Sequence, residues 1–255
     1  MSDWDPTDYL RYADERSRPF VDLTARIDAD APQRVVDLGC GPGNLTALLA
    51  RRWPDAEVEG VDASPAMIRR AGQYAGDRLR FSLGDIRDWQ DAEPVDVVVS
   101  NATLQWVPGH RAVLPRLVGA LRPGGWLAFQ VPGNFDQPSH RLLHELADRP
   151  PYAEWTRDLE RPAAFDPEVY LADLAELGCR VQAWETTYLH VLAGPDPVFH
   201  WISSTGARPV LGALPDGLRD DFEAAYKKRL NEAYPPRTYG TVLPYRRIFA
   251  VAVKP

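Results

Sequence analysis

The chain has 255 residues, 25% of them charged, and carries a formal net charge of −7. The length allows one large domain or a domain with an inserted lobe, and the acidic balance speaks against a nucleic acid or an anionic membrane as partner. No apolar run reaches membrane length, no leader pattern opens the chain, and the only cysteines, Cys40 and Cys179, fit neither a metal site nor a disulfide framework; a cytoplasmic protein without a metal is expected.

In chain order, Asp5-Pro6 is a capping side chain followed by proline, which predicts a first helix. A second start at Ser17 leads into Phe20, Val21, Leu23, Thr24 and Ile27, spaced for one helical face. Arg16 and Arg18 lie at the junction. They matter for function if residues 1–30 form a lid.

Residues 34–46, RVVDLGCGPGNLT, read as a buried strand, a glycine turn and a helix start. Glycines allow positive φ and let a ligand press against main chain, and a helix start adds unpaired N–H groups. A dinucleotide fingerprint wants its third glycine at position 44, where this chain has Asn44. Asp37, two residues before the first glycine, repels a pyrophosphate and attracts an ammonium. The methionine end of S-adenosylmethionine offers an amino group and no phosphate.

The alternation then continues. Residues 57–61 form a strand ending at Asp62, an acidic position about 20 residues beyond the glycines that suits a ribose diol. Pro65 opens a helix, 79–83 is a strand followed by Gly84-Asp85-Ile86, and 95–100 (VDVVVS) is an unbroken apolar strand of the doubly covered kind. Asn101 to Trp106 follow. A helix over 110–121 and a strand over 126–131 complete a doubly wound α/β sheet with right-handed crossovers. Asp37, Asp62, Asp85 and Asn101 all fall at the carboxyl ends of strands, where such sheets bind ligands. Beyond Pro132 the rhythm breaks: helices are expected over 137–147, 167–177, 195–205 and 216–233, with strands over 181–192 and 247–253. Segments 132–178 and 193–242 are read as a helical cap over the carboxyl ends of the strands, around the last two strands, with residues 31–131 as the cofactor-binding core.

DLGCGPGN, Asp62, GDIRDW, NATLQW and LRPGG together resemble the class I S-adenosylmethionine-dependent methyltransferases. Within that superfamily the chain is similar over its whole length to the trans-aconitate methyltransferase family, through WDPTDYL with ERSRP, NATLQWVPGH, Gly178-Cys179, WETTYLH at 184–190 and WISSTGARP at 201–209. The resemblance implies a Rossmann-like seven-stranded sheet whose last strand inserts antiparallel, a monomer, and methyl transfer to a carboxylate of trans-aconitate with S-adenosylhomocysteine as coproduct. It implies that Asp37, Gly39, Gly41 and Asn44 line the methionine portion and Asp62 the ribose. Ala63 and Met67 would flank the adenine, Asp85 and Ile86 its edge, and Asn101 would lie beneath the sulfonium.

A carboxylate nucleophile has a reference pKa near ~4 and needs no general base at neutral pH. No residue is therefore expected as acid or base, and Gln105 and Trp106 are expected to position the reactants. A small anionic acceptor needs local cations and a wall, for which Arg16, Arg18, Arg208, Tyr188 and Tyr239 are the candidates, with Arg246 and Arg247 secondary. Two other readings stay open: a methyltransferase for another small acid or an oxygen or nitrogen acceptor, and a cofactor-binding protein without catalysis.

Overall fold

The computed structural model describes the backbone from residue 13 and side chains from residue 17; the helix expected at Asp5-Pro6 and the side chain of Arg16 lie outside the described residues. The chain runs α1 (Ala13–Thr24), β1 (Arg34–Leu38), α2 (Thr46–Arg52), β2 (Glu57–Asp62), α3 (Pro65–Ala71), β3 (Leu79–Leu83), β4 (Val95–Asn101), α4 (Leu114–Gly119) and β5 (Leu121–Pro132). It continues with α5 (Pro138–Ala147), α6 (Ala153–Thr156), α7 (Pro167–Glu176), β6 (Arg180–Leu192), α8 (Pro197–Ser203), α9 (Arg208–Ala213), α10 (Asp216–Ala233) and β7 (Thr241–Val253). Among the described residues no helix is long and apolar enough to cross a membrane.

The strands form one seven-stranded sheet in the order β3-β2-β1-β4-β5-β7-β6. The first five pair in parallel, with Asp37 opposite Gly60 and Asn101 opposite Gln130. Chain reversal at the inserted last strand shows in the reciprocal bonds Gly124 N to Lys254 O (3.0 Å) and Lys254 N to Gly125 O (2.9 Å). The fold class is thus as expected, a Rossmann-like α/β sheet flanked by helices. β4 is buried at every position up to its last residue, the burial its apolar run called for.

The chain divides into two compact units. One holds the described residues up to 131 together with 165–185 and 248–255, and therefore includes α7. Its core is the parallel sheet, filled by Val35, Val36, Val97, Val98, Leu127 and Phe129. The other comprises 132–164 and 186–247. There α10 turns Phe222, Tyr226 and Leu230 inward, all buried at four-residue spacing on one helical face. Tyr226 Oη donates to Ser139 O on α5 at 2.5 Å, and Ser139 N donates to Tyr234 Oη at 3.0 Å.

Several elements differ from expectation: α1 is already helical at Ala13, ahead of the expected start at Ser17, and β5 begins at Leu121 instead of 126. The helix expected over 195–205 is α8, and a further short helix follows that was not expected: Thr205 N and Ala207 N both fold back onto Ile202 O to end α8, and Pro209 sits in the first turn of α9. The helix over 110–121 opens as a 3₁₀ turn over His110–Val113 before α4. The final strand starts at Thr241 instead of 247, since Thr241, Leu243, Tyr245 and Arg247 alternate as buried positions with half-buried ones.

Candidate active site

The carboxyl ends of β1, β2 and β4 meet around the glycine turn. Gly39, Gly41 and Gly43 have φ of 81°, 55° and 82°, backbone that L-residues with a Cβ enter at a cost. Gly39 N and Cys40 N both donate to Val61 O, at 2.7 and 3.0 Å, which ties the turn to the end of β2. A Cβ at Gly39 would stand 1.9 Å from Thr103 Oγ1, whereas one at Gly41 would meet nothing within 4 Å. Gly39 is required by the protein's own packing. Gly41 leaves an open patch of main chain of the kind a ligand covers.

Two carboxylates face this turn. Asp37 is 2% exposed, and its Oδ2 accepts from Thr46 Oγ1 at 2.7 Å. Burial pushes its pKa up to about 7; the Thr46 bond opposes the rise and the charge of Asp62 adds to it. Asp62 takes Gly41 N on Oδ2 and Ser64 N on Oδ1, each at 2.9 Å. Burial raises its pKa too, and these two bonds hold the rise back. Each of its oxygens keeps a further lone pair for a hydroxyl donor. Cys40, 6% exposed inside the turn, has its thiol pushed far up, first by burial and then by the charges of Asp37 and Asp62.

At the end of β4, Asn101 Oδ1 is sealed from solvent and has no donor among the described residues. Ala102 follows with φ of 55°. Gln105 Nε2 donates to Ala102 O at 2.6 Å and closes this unusual turn, while Gln105 Oε1 is likewise buried without a donor. Native proteins seldom leave such atoms unpaired away from sites that bind something. Of the other expected residues in this unit, Met67 is buried on α3, Asn44 and Trp106 are half-buried, and Ala63 and Arg18 are exposed. Ile86 is buried, and its carbonyl accepts from Arg116 at 2.6 Å. Asp85 is held by its own neighbour: Arg87 Nη2 reaches Oδ2 at 2.6 Å, and Arg87 N reaches Oδ1 at 2.8 Å. That pairing holds the Asp85 carboxyl below its usual pKa, and any adenine amine would share the carboxylate with Arg87.

Tyr188, Arg208 and Tyr239 belong to the second unit, the first two half-buried and Tyr239 66% exposed. The sheet unit thus gathers the expected cofactor residues but not these three. Sequence reasoning gave no role to Thr46 and Thr103, the hydroxyls that brace Asp37 and pack on Gly39; Thr46 stands inside the glycine motif, but nothing in its spacing marks the contact. His110 Nε2 lies 2.8 Å from Tyr170 Oη, and burial lowers its pKa. Among the described residues no cluster of metal ligands occurs.

This arrangement fits S-adenosylmethionine: a buried carboxylate for an ammonium, a second for vicinal hydroxyls, an open glycine face and an orphaned acceptor oxygen at Asn101. Comparison with known proteins agrees. Residues 35–125 match a family model described as a methyltransferase domain. The trans-aconitate 2-methyltransferase of Streptomyces avermitilis is 52% identical over 260 residues, covering 98% of this chain and 97% of that one. The chain belongs to the trans-aconitate 2-methyltransferase family. A Streptomyces coelicolor member is 53% identical, covering 99% of this chain and 87% of its own length. Among solved structures, Haemonchus contortus phosphoethanolamine N-methyltransferase 2 in complex with S-adenosyl-L-methionine aligns with a TM-score of 0.56 at 19% identity, over 93% of this chain and 52% of that one. That likeness is one of fold. The assignment to the trans-aconitate 2-methyltransferase family rests on the long, high-identity matches.

Proposed function

We propose that this chain transfers the methyl group of S-adenosylmethionine to one carboxylate of trans-aconitate, giving a monomethyl ester and S-adenosylhomocysteine. The observation that carries the reading is the pair of carboxylates, Asp37 and Asp62, at the glycine turn, whose pKa values no cation among the described residues perturbs. Such a crevice repels phosphate and favours a ligand bearing an ammonium and a sulfonium. Membership of the trans-aconitate 2-methyltransferase family supplies the acceptor.

When bound, the cofactor supplies an electrophilic methyl carbon on positively charged sulfur. The acceptor's carboxylate oxygen would take that methyl as the C–S bond gives its electron pair to sulfur, with no proton to remove. The chain's part is to hold and orient. Asp37 takes the ammonium, with Gly39, Gly41 and Asn44 along the methionine portion, and Asp62 takes the ribose hydroxyls. Ala63, Met67, Asp85 and Ile86 surround the adenine. Asn101 sets acceptor oxygen against the sulfonium, and Gln105 and Trp106 position the acceptor. No base is needed, and His110 is already engaged with Tyr170. Orientation can contribute about 7–11 kcal/mol, against at most about 4 kcal/mol for one cation beside one carboxylate at intermediate dielectric. Arg16, Arg18, Arg208, Tyr188 and Tyr239 therefore serve chiefly to place the polyacid. The same reading makes the protein a cytoplasmic monomer, and its two buried, unbridged thiols suit a reducing compartment.

The test is mass analysis of products from labelled cofactor with trans-aconitate, cis-aconitate, citrate and isocitrate. A base-labile ester formed best from trans-aconitate is the expected outcome. A base-stable methyl product, or turnover of none of these acids, rejects the reading. For the arginines, Arg18→Ala and Arg208→Ala are each expected to raise KM for trans-aconitate more than KM for the cofactor; steady-state kinetics unchanged in both variants would remove them from the site.

A further inference from the structure

Strand β1 hands the chain to the glycine turn at Asp37 and Leu38, and α2 takes it up again at Thr46. Hydroxyl groups tie both ends of that excursion. Ser100 Oγ, fully buried on β4, donates to Leu38 O at 2.8 Å. Thr46 Oγ1, fully buried at the start of α2, donates to Asp37 Oδ2 at 2.7 Å. The second bond joins a neutral donor to a carboxylate, which makes it the stronger kind. It also fixes one oxygen of Asp37, so the plane of the carboxyl group cannot swing freely.

On the flanking strands Gly60 of β2 and Val99 of β4 stand opposite Asp37, and neither has a polar side chain. Among the described residues, the titratable groups that face it are Asp62, at the end of β2, and Cys40, inside the turn. The charge of Asp62 pushes the Asp37 pKa the same way as burial, upward, and the Cys40 thiol stays protonated, its own pKa driven up. Against these stands the Thr46 hydroxyl, which lowers the Asp37 pKa. A hydrogen bond received by the charged form favours that form.

We propose that Thr46 is a positioning residue for the cofactor: its hydroxyl holds the Asp37 carboxylate in the charged state and the orientation that receive the ammonium of S-adenosylmethionine. The proposal rests on the cofactor placement given above and adds to it a residue that acts through Asp37. Each carboxylate oxygen can accept more than one hydrogen, so the Thr46 bond persists when the ammonium arrives. The methyl group of Thr46 fills space and does nothing for charge. Shape and donation can therefore be separated by substitution.

The test measures S-adenosylhomocysteine, which carries the same ammonium and cannot alkylate the protein, by calorimetry between pH 6 and pH 9. Thr46→Val keeps the shape and removes the donor. The wild-type midpoint for Asp37, about 7, is expected to move up by about one pH unit, since losing a hydrogen bond to a charged group shifts that equilibrium on the order of tenfold. Relative to wild type, the dissociation constant of Thr46→Val is then ~10-fold higher at pH 6 and within about twofold at pH 9. The titration of the ligand's own amino group cancels from this ratio. Thr46→Ser, which keeps the donor and loses the methyl, is expected to track wild type at every pH. Cooperative melting certifies each variant as folded. If Thr46→Val fails that check, Thr46→Cys, near in size and only a weak donor, replaces it, with a shift in the same direction expected. A ratio constant across pH, or Thr46→Ser behaving as Thr46→Val does, overturns the role of Thr46 and leaves Asp37 in place. A wild type that does not bind the ligand, or binds it no better than Asp37→Asn does, overturns the cofactor placement and this proposal with it.

Discussion

Asp37→Asn is expected to weaken S-adenosylmethionine binding ~100-fold or more, since removing one partner of a buried charge pair costs about 3–5 kcal/mol. The same variant is expected to be the more stable protein at pH 8. Asp37 has its pKa raised from 3.8 to about 7 in the fold, mainly by burial. A carboxyl raised in this way favours the folded state while protonated, so its contribution is complete below the unfolded value and is lost as pH climbs through about 7. Above that pH the ionised group opposes folding by an amount on the order of 4 kcal/mol. The asparagine oxygen can still accept from Thr46, but its amide hydrogens need partners, which reduces the gain to ~1–3 kcal/mol, or several degrees in Tm. At pH 5 the gain should largely vanish. For wild type the linked result is cofactor binding that tightens ~10-fold between pH 6 and pH 8, because an ammonium selects the ionised carboxyl. Calorimetric titrations and melting curves at these pH values check both halves. A variant that binds normally, or that melts lower at pH 8, contradicts the role given to Asp37.

The second large effect is structural. Gly39→Ala is expected to lower stability by more than ~3 kcal/mol or to prevent folding, as backbone strain and overpacking act together. The new methyl would lie 1.9 Å from Thr103 Oγ1 and 2.6 Å from Thr103 Cβ, at a residue with φ of 81°. Rotating the threonine cannot clear its Cβ, so Thr103→Ala is expected to rescue only part of the loss. Gly41→Ala provides the contrast. With open space around that position and φ of 55°, the chain should fold at a cost of about 1–2 kcal/mol while cofactor binding falls steeply. Paired melting and binding measurements separate the two glycines, and a well-folded Gly39→Ala protein would refute the packing argument.

The sheet was legible because its signals are local. An unbroken run such as VDVVVS has one comfortable environment, and strand, glycine turn and helix follow one another within RVVDLGCGPGNLT. The strand-end positions of Asp62 and Asn101 were legible for a related reason, since strand ends can be counted along the chain. What escaped depends on neighbours distant in sequence. Thr103 meets Gly39 from 64 residues away, and the amide of Asn134 meets Arg246 across 112 residues. α9 was missed for another reason: Gly206 precedes, and Pro209 and Gly212 punctuate, a six-residue segment too short to show a helical period. Arg87 was hidden in plain view, two residues from the carboxylate it occupies, since charge alone does not say which way a side chain turns.

Cys40 has a consequence for the reaction's fidelity. Sulfur is the softest nucleophile a protein owns, and this one is set in the glycine turn proposed to hold an alkylating cofactor. Buried and flanked by Asp37 and Asp62, the thiol is denied the thiolate form through which cysteine attacks carbon. On the proposed placement of S-adenosylmethionine, burial first and the two carboxylates second would keep this thiol a poor rival to the incoming acid.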